Sequence, residues 1–167
     1  HKYFDGVVPE QNALEKEDIA VLDVLKQTPL TVEKAIRSFR FRDAQAEAMK
    51  LARAGNKYLA DTEPWKQIKT NPDRVKTILN ISLQITASLA VVFEPFMPHI
   101  SSRLASMLGI ELPKWDAAGN SALILSGHCI NKPEILFAKI EDEQIENQLE
   151  KLKNTTSNQS KFPPMKD

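Results

Sequence analysis

Apolar residues recur along most of this chain at steps of three and four, a spacing that predicts helices rather than strands. From about Ala13 to Gln27 the set Leu14, Ile19, Leu22 and Leu25 marks one helix. Thr28-Pro29 is expected to stop it and start the next, with Thr28 as N-cap and Pro29 at the first helical position. Val32, Ala35, Ile36 and Phe39 then keep helical spacing. A break near Arg40-Phe41-Arg42 precedes a longer helix reaching about Leu59. Its inward face is Phe41, Ala44, Ala48, Leu51, Ala52 and Leu59, mostly small residues that let helices approach closely. Gly55 lies on the same face, where a missing Cβ permits still closer approach.

Asn71-Pro72-Asp73 is the strongest helix start in the chain: an N-cap, a proline at the first position and an acid in the first turn. The helix it opens is expected to run to about Phe93. Val75, Ile78, Ile81, Ile85, Leu89 and Val92 form its stripe, and Leu79, Leu83 and Ala90 widen it, so this helix is expected at the centre of the others. Pro98 opens another helix, with Met97, Ile100, Leu104, Met107 and Leu108 inward and Gly109 as the residue that ends it. From Ile110 to Ile140 the spacing is irregular. Ala122–Leu125 and Ile135–Phe137 are read there as extended pieces packed on the bundle. A final acidic helix is expected over about Asp142 to Lys153, showing Ile145, Leu149 and Leu152. The pattern therefore predicts an all-α bundle over residues 1–153 and a flexible linker over 154–167.

Composition adds limits. At 167 residues the chain is about one domain, long enough to bury a core. A single cysteine, Cys129, excludes an internal disulfide framework and a cysteine-rich zinc site, and fits a reducing cytosol. No apolar run is read as long enough to span a bilayer and no signal peptide is recognised, so no membrane partner is expected. Because the chain begins at His1 rather than methionine, it is read as starting inside a longer protein.

Net charge is zero, yet its distribution is uneven. Between Lys34 and Lys76 there are eleven Lys/Arg against five Asp/Glu, and the remainder carries eleven against seventeen. A basic middle attracts phosphate locally while the whole stays neutral. Within it, Pro64 fixes its own φ and disfavours helix at Glu63, which puts Trp65 on a stiffened corner. A large aromatic face there, with Lys57, Lys66 and Lys69 nearby and Arg53 a turn before Lys57, suits stacking of an unpaired nucleotide base and contact with a phosphate backbone. From these residues alone, packing in the core or at its rim is the more usual role of a tryptophan in a helical domain. No phosphate-cradling glycine pair and no metal-ligand cluster is present. His1, His99 and His128 are isolated, and His128 beside Cys129 lacks a third orienting residue. No catalytic constellation is found, so the chain is read as binding rather than reacting, with no cofactor of its own.

Longer strings carry a resemblance. RFRDAQAEAMKLARAGNKYLADTEPW, from Arg40 to Trp65, resembles the core of the methionyl-tRNA synthetase anticodon-binding domain, with its Asn-x-Tyr sequence and Pro-Trp pair. EPFMPHISSRLASMLG, from Glu94 to Gly109, is similar to the proline-split helix pair shared by several class I synthetases. GHCINKPEILFAKIEDEQI, from Gly127 to Ile145, is similar to the family's Gly-His-x-Ile-x-x-Pro-x-x-Leu-Phe segment. Phe4-Asp5-Gly6 fits the start of the same domain. Together these span nearly the whole chain in the family's order.

The resemblance implies a helical bundle of the class I synthetase anticodon-binding type. It implies a parent enzyme that attaches methionine to its tRNA using ATP, and a zinc-binding insertion in some parents. The nucleotide-binding signatures, His-Ile-Gly-His and Lys-Met-Ser-Lys-Ser, belong to an upstream catalytic domain of the same chain and do not occur here. By the same resemblance Trp65 contacts the first anticodon base of tRNA-Met and Pro64 shapes the corner. An asparagine and an arginine that also read that base fall before His1. Asn56 and Tyr58 match the motif, with structural roles expected: a hydrogen bond tying the helix end, and packing. A further C-terminal domain that makes the parent a homodimer is also implied. Two other readings stay open: the equivalent domain of another class I synthetase, and a helical scaffold binding protein partners through the acidic Asp142–Lys153 helix.

Overall fold

The computed structural model describes residues 2–159, with side chains described to residue 154. Among these residues the helices are α1 (Lys16–Arg37), α2 (Phe41–Thr62), α3 (Pro64–Gln67), α4 (Pro72–Val92), α5 (Pro98–Leu108) and α6 (Asp142–Gln159), with a 3₁₀ turn at Trp115–Ala117. No strand forms among them; one antiparallel bridge joins Val7 to Cys129. The all-α expectation holds. Two compact units divide the chain, His1–Leu136 and Phe137–Asp167.

The largest difference from the sequence pattern is at Pro29, which lies inside α1 rather than between two helices. An interior proline removes one backbone hydrogen bond and costs about 3 kcal/mol or more. Packing on both sides of it holds α1 continuous: Val21, Leu25, Thr28, Pro29, Val32 and Ala35 are all buried in one register. The opened turn is also used. Gly119, at φ +82, lies so close that a Cβ on it would stand 3.1 Å from the Leu25 carbonyl and 3.2 Å from Pro29 Cγ. Gly119→Ala is therefore expected to lower stability by about 1–3 kcal/mol through left-handed strain and this contact, measurable by urea unfolding.

Phe39 and Phe41 do not join the core as expected. After α1 the chain closes with Phe39 N–H to Ile36 O at 2.9 Å and Arg40 N–H to Ala35 O at 2.9 Å, Phe39 taking a left-handed φ of +57. That pair of bonds caps the helix carbonyls and turns the Phe39 ring outward, 82% exposed, edge-on to the exposed Phe41. Leu14 and Ile19, expected inward on the first helix, are also exposed, Leu14 lying before α1 begins.

Helix α4 is central, as its wide stripe indicates. It packs Ile78, Ile81 and Ile85 with Leu25, Leu51 and Tyr58, and Val92 with Val32, Ala35, Ala44 and Ala48. A Cβ at Gly55 would stand 3.2 Å from Ile85 Cγ2, so α2 and α4 touch at the glycine. By length and apolarity α4 is capable of crossing a bilayer, which corrects the expectation that no run is long enough. Two thirds of its most apolar window (67%) is buried inside the protein, so that apolarity serves the core.

One line of α4 is both buried and polar: Arg74, Thr77, Asn80, Gln84 and Ser88. Each holds a segment that has no regular structure or begins a helix. Thr77 Oγ1 accepts from Asn12 N–H at 2.9 Å, and Asn80 donates to Pro9 O at 2.8 Å. Gln84 makes a two-bond clamp on Ile124, donating to its carbonyl at 2.7 Å and accepting from its amide at 3.0 Å. Ser88 Oγ accepts from Gly119 N–H at 2.9 Å. Satisfying backbone groups in this way is what buried loop segments require.

The segment from Gly127 to Ile130 pairs with the start of the chain: Gly127 N–H to Val8 O, Val8 N–H to His128 O and Ile130 N–H to Gly6 O, at 2.8–2.9 Å. His128 Nε2 lies 2.9 Å from Leu108 O, at the end of α5. Of the two short apolar runs, Ile124 is buried but Ile135 is 83% exposed. The second run is not packed because Arg103 fixes it through its backbone, donating to the carbonyls of Ile135 at 3.0 Å and Leu136 at 3.1 Å.

In the second unit, Glu141 and Gln144 exchange hydrogen bonds at the start of α6, at 2.9 and 3.0 Å. Ile145, Leu149 and Leu152 are exposed along it. The helix continues past Lys153 to Gln159, where a linker was expected from Asn154. Residues 154–159 contain neither proline nor glycine to end it. Residues 160–167 of the expected linker, and His1, lie outside the described residues.

Candidate nucleic-acid interface

Helix α2 ends where the sequence breaks it. Pro64 excludes helical geometry at Glu63, which takes a left-handed conformation with φ +41 and ψ +57, and Pro64 then opens the single turn α3. Side chains brace this corner from inside. Thr62 donates to Tyr58 O at 2.7 Å, and Gln67 Nε2 donates to Thr62 O at 2.6 Å. Pro64 is buried, and Trp65, the next residue, stands 52% exposed. The chain re-enters the core at α4, whose N-cap Asn71 accepts from Arg74 N–H at 3.2 Å.

Under the corner lies a polar group that periodicity did not single out. Asp18, fully buried on α1, receives Arg74 of α4 at 2.6 and 2.8 Å as a two-pronged ion pair, and the Tyr58 hydroxyl of α2 at 2.5 Å. Its second oxygen also accepts from Glu15 N–H at 2.8 Å, and Glu15 reaches Arg74 Nε at 3.2 Å. Burial by itself would raise the Asp18 carboxyl; Arg74, Tyr58 and the Glu15 amide outweigh it and hold the group below its usual range. Burial and the neighbouring carboxylate push the Tyr58 hydroxyl well above its usual range. Arg74 is likewise held in its charged form, chiefly by Asp18 against the opposing effect of burial. A signal was present: Asp18, Tyr58 and Arg74 each extend the apolar stripe of their helix by one turn.

The cations near the corner divide into two kinds. Lys57 is paired with Asp61 at 2.8 Å and Lys66 with Glu63 at 2.7 Å, both exposed. Such pairs are worth about 0–1 kcal/mol and exchange readily for a phosphate. Lys69 and Arg53 are exposed, with no ion pair among the described residues. Arg53 sits one turn before Lys57 on the same face of α2. Asn56 is exposed and makes no side-chain hydrogen bond among the described residues, while Tyr58 is buried. Among the described residues no group of three His, Cys, Asp or Glu is placed to hold a metal ion.

Residues 8–157 match the model of the family described as the anticodon binding domain of methionyl tRNA ligase. The chain belongs to this family. Relatives named methionine–tRNA ligase agree: that of Phocaeicola vulgatus is 55% identical over 152 residues, which is 91% of this chain and 22% of that protein. The Porphyromonas gingivalis enzyme is 50% identical over 156 residues, 93% of this chain and 23% of that protein. This anticodon-binding domain thus spans between a fifth and a quarter of the length of the curated relatives it matches. Methionyl-tRNA synthetase of Mycobacterium tuberculosis has the same fold. Its free form aligns with a TM-score of 0.75 at 20% identity, over 84% of this chain and 29% of that one. The form bound by methionyl-adenylate aligns at 0.73, over 82% and 28%. The fold is therefore the helical anticodon-binding type expected from the strings quoted above.

Proposed function

We propose that this chain recognises the anticodon of a methionine tRNA within a larger enzyme that joins methionine to that tRNA at the expense of ATP. The observation that carries the reading is Trp65: a half-exposed indole on a braced, left-handed corner, in a domain of the anticodon-binding family. An aromatic face held rigid in solvent offers an unpaired base a stacking surface with little ordering cost. Pro64 sets the angle of that surface. Lys57, Lys66, Lys69 and Arg53 are assigned to the sugar–phosphate backbone, where their role is to position rather than to discriminate. Methionine activation and ATP binding are assigned to the part of the enzyme outside this chain.

The test is a titration of the chain with methionine tRNA and with an anticodon-mutated control over a range of salt concentrations. Binding is expected to favour the cognate anticodon and to weaken with salt, linearly in log–log form. A protein-binding scaffold would show neither. The chain alone is expected to catalyse no ATP–pyrophosphate exchange with methionine, since it carries no phosphate-cradling element. Measurable exchange by the pure chain would overturn that assignment.

A further inference from the structure

Holding three helices together with a buried carboxylate, guanidinium and phenol is an expensive choice for stability alone. Well-packed apolar side chains of similar volume often serve as well or better, because desolvation offsets much of the attraction between buried charges. What the charged node supplies is direction. A carboxylate offers about four acceptor positions. Asp18 fills them: Oδ1 takes the Tyr58 hydroxyl and Arg74 Nη2, and Oδ2 takes Arg74 Nη1 and the Glu15 amide. No partner of that carboxylate can rotate without breaking a bond.

The position of the node in the chain gives that rigidity a purpose. Tyr58 precedes Trp65 by seven residues, and Arg74 follows it by nine. From Tyr58 the bracing continues outward from its carbonyl to the Thr62 hydroxyl and from the Thr62 carbonyl to Gln67, and from Arg74 through its amide to Asn71. Both ends of the corner that carries Trp65 are thereby tied to one carboxylate on α1. Resting on the reading of Trp65 as a base-stacking residue, we propose that Asp18, Tyr58 and Arg74 are positioning residues for anticodon recognition, fixing the angle at which the Trp65 ring meets the base. They touch no part of the RNA. Their effect reaches it through the end of α2 and the start of α4.

The test is made in the intact enzyme containing this domain. It reads the ratio of kcat/KM for aminoacylating methionine tRNA to kcat/KM for an anticodon-mutated tRNA. Tyr58→Phe keeps the ring in the core and removes only the hydroxyl; Arg74→Lys keeps the charge and loses the two-pronged geometry. Val32→Ala, in the core cluster away from the node, serves as a control with a comparable loss of Tm. Tyr58→Phe and Arg74→Lys are expected to lower the ratio by about tenfold, since small displacements of a binding group are enough for losses of that order. The Val32→Ala ratio is expected to stay at the parental value. In this chain alone, carrying Trp115→Phe so that Trp65 is its sole tryptophan, Tyr58→Phe should also increase quenching of its fluorescence by acrylamide. If all three variants keep the parental ratio while Trp65→Ala lowers it, the positioning role is overturned and the stacking role stands. If Trp65→Ala leaves the ratio unchanged, the stacking role fails and this proposal fails with it.

Discussion

Asp18→Asn costs the folded chain about 3–5 kcal/mol at neutral pH, the usual loss when one partner of a buried ion pair is removed. The lower end of that range is expected, because Glu15 still faces Arg74 Nε at 3.2 Å. The loss has two parts. The Arg74 guanidinium keeps its burial and loses its carboxylate, and the new amide group points N–H donors at other donors. Acid removes the difference. The Asp18 carboxyl is held below its ordinary value in the folded chain, so its contribution is complete above the unfolded pKa of roughly 3.9 and is lost as pH falls through the folded value. Urea unfolding of the parent and Asp18→Asn chains at pH 7, and again at the lowest pH where both fold, measures this directly. A gap between them that is small at pH 7, or the same at both pH values, would contradict the account.

Trp65→Ala is expected to separate binding from folding. The ring is half in solvent and belongs to none of the buried core clusters, so its removal should leave Tm close to the parental value. A tryptophan packed in the core would instead cost about 3–5 kcal/mol. In the intact enzyme the same change should weaken binding of methionine tRNA by about 1–3 kcal/mol, the worth of one base stacked on an aromatic side chain. Lys66→Ala and Lys69→Ala should weaken cognate and anticodon-mutated tRNAs alike, and should lessen the dependence on salt. Thermal unfolding paired with tRNA binding decides the matter. A large fall in Tm with anticodon preference intact would leave Trp65 as ordinary packing.

Much of this was legible in the residues. Asn71-Pro72-Asp73 marks the start of α4, and Gly109 the end of α5, because capping chemistry is local and needs no partner from elsewhere. The Glu63-Pro64 corner is local in the same way. Pro29 was misread for the opposite reason: its local preference is to break a helix, and packing of residues on both sides overrules it. Phe39 fits a helical spacing that α1 does not continue long enough to use, and Phe41 opens α2 one turn ahead of its first buried residue, Ala44. The Asp18 node was invisible as chemistry, since its members lie 40 and 56 residues apart and each looks like an ordinary surface residue or packing aromatic. Among the candidate site residues, Trp65, Pro64, Lys66 and Lys69 share the corner by sequence proximity alone. That closeness made them readable.

The buried polar line along α4 has a consequence for how sequences of this fold can drift. Asn80, Gln84 and Ser88 grip amide hydrogens and carbonyl oxygens, which every residue type supplies apart from the missing proline amide. They are indifferent to the side chains of the segments they hold. Apart from positions fixed by their own packing or backbone, such as Ile124 and Gly119, the irregular segments around α4 are thus free to exchange residues while keeping their course, provided the helix keeps its few polar teeth. Such an arrangement behaves like a rack and pinion: one member carries the specification and the other needs only a uniform profile.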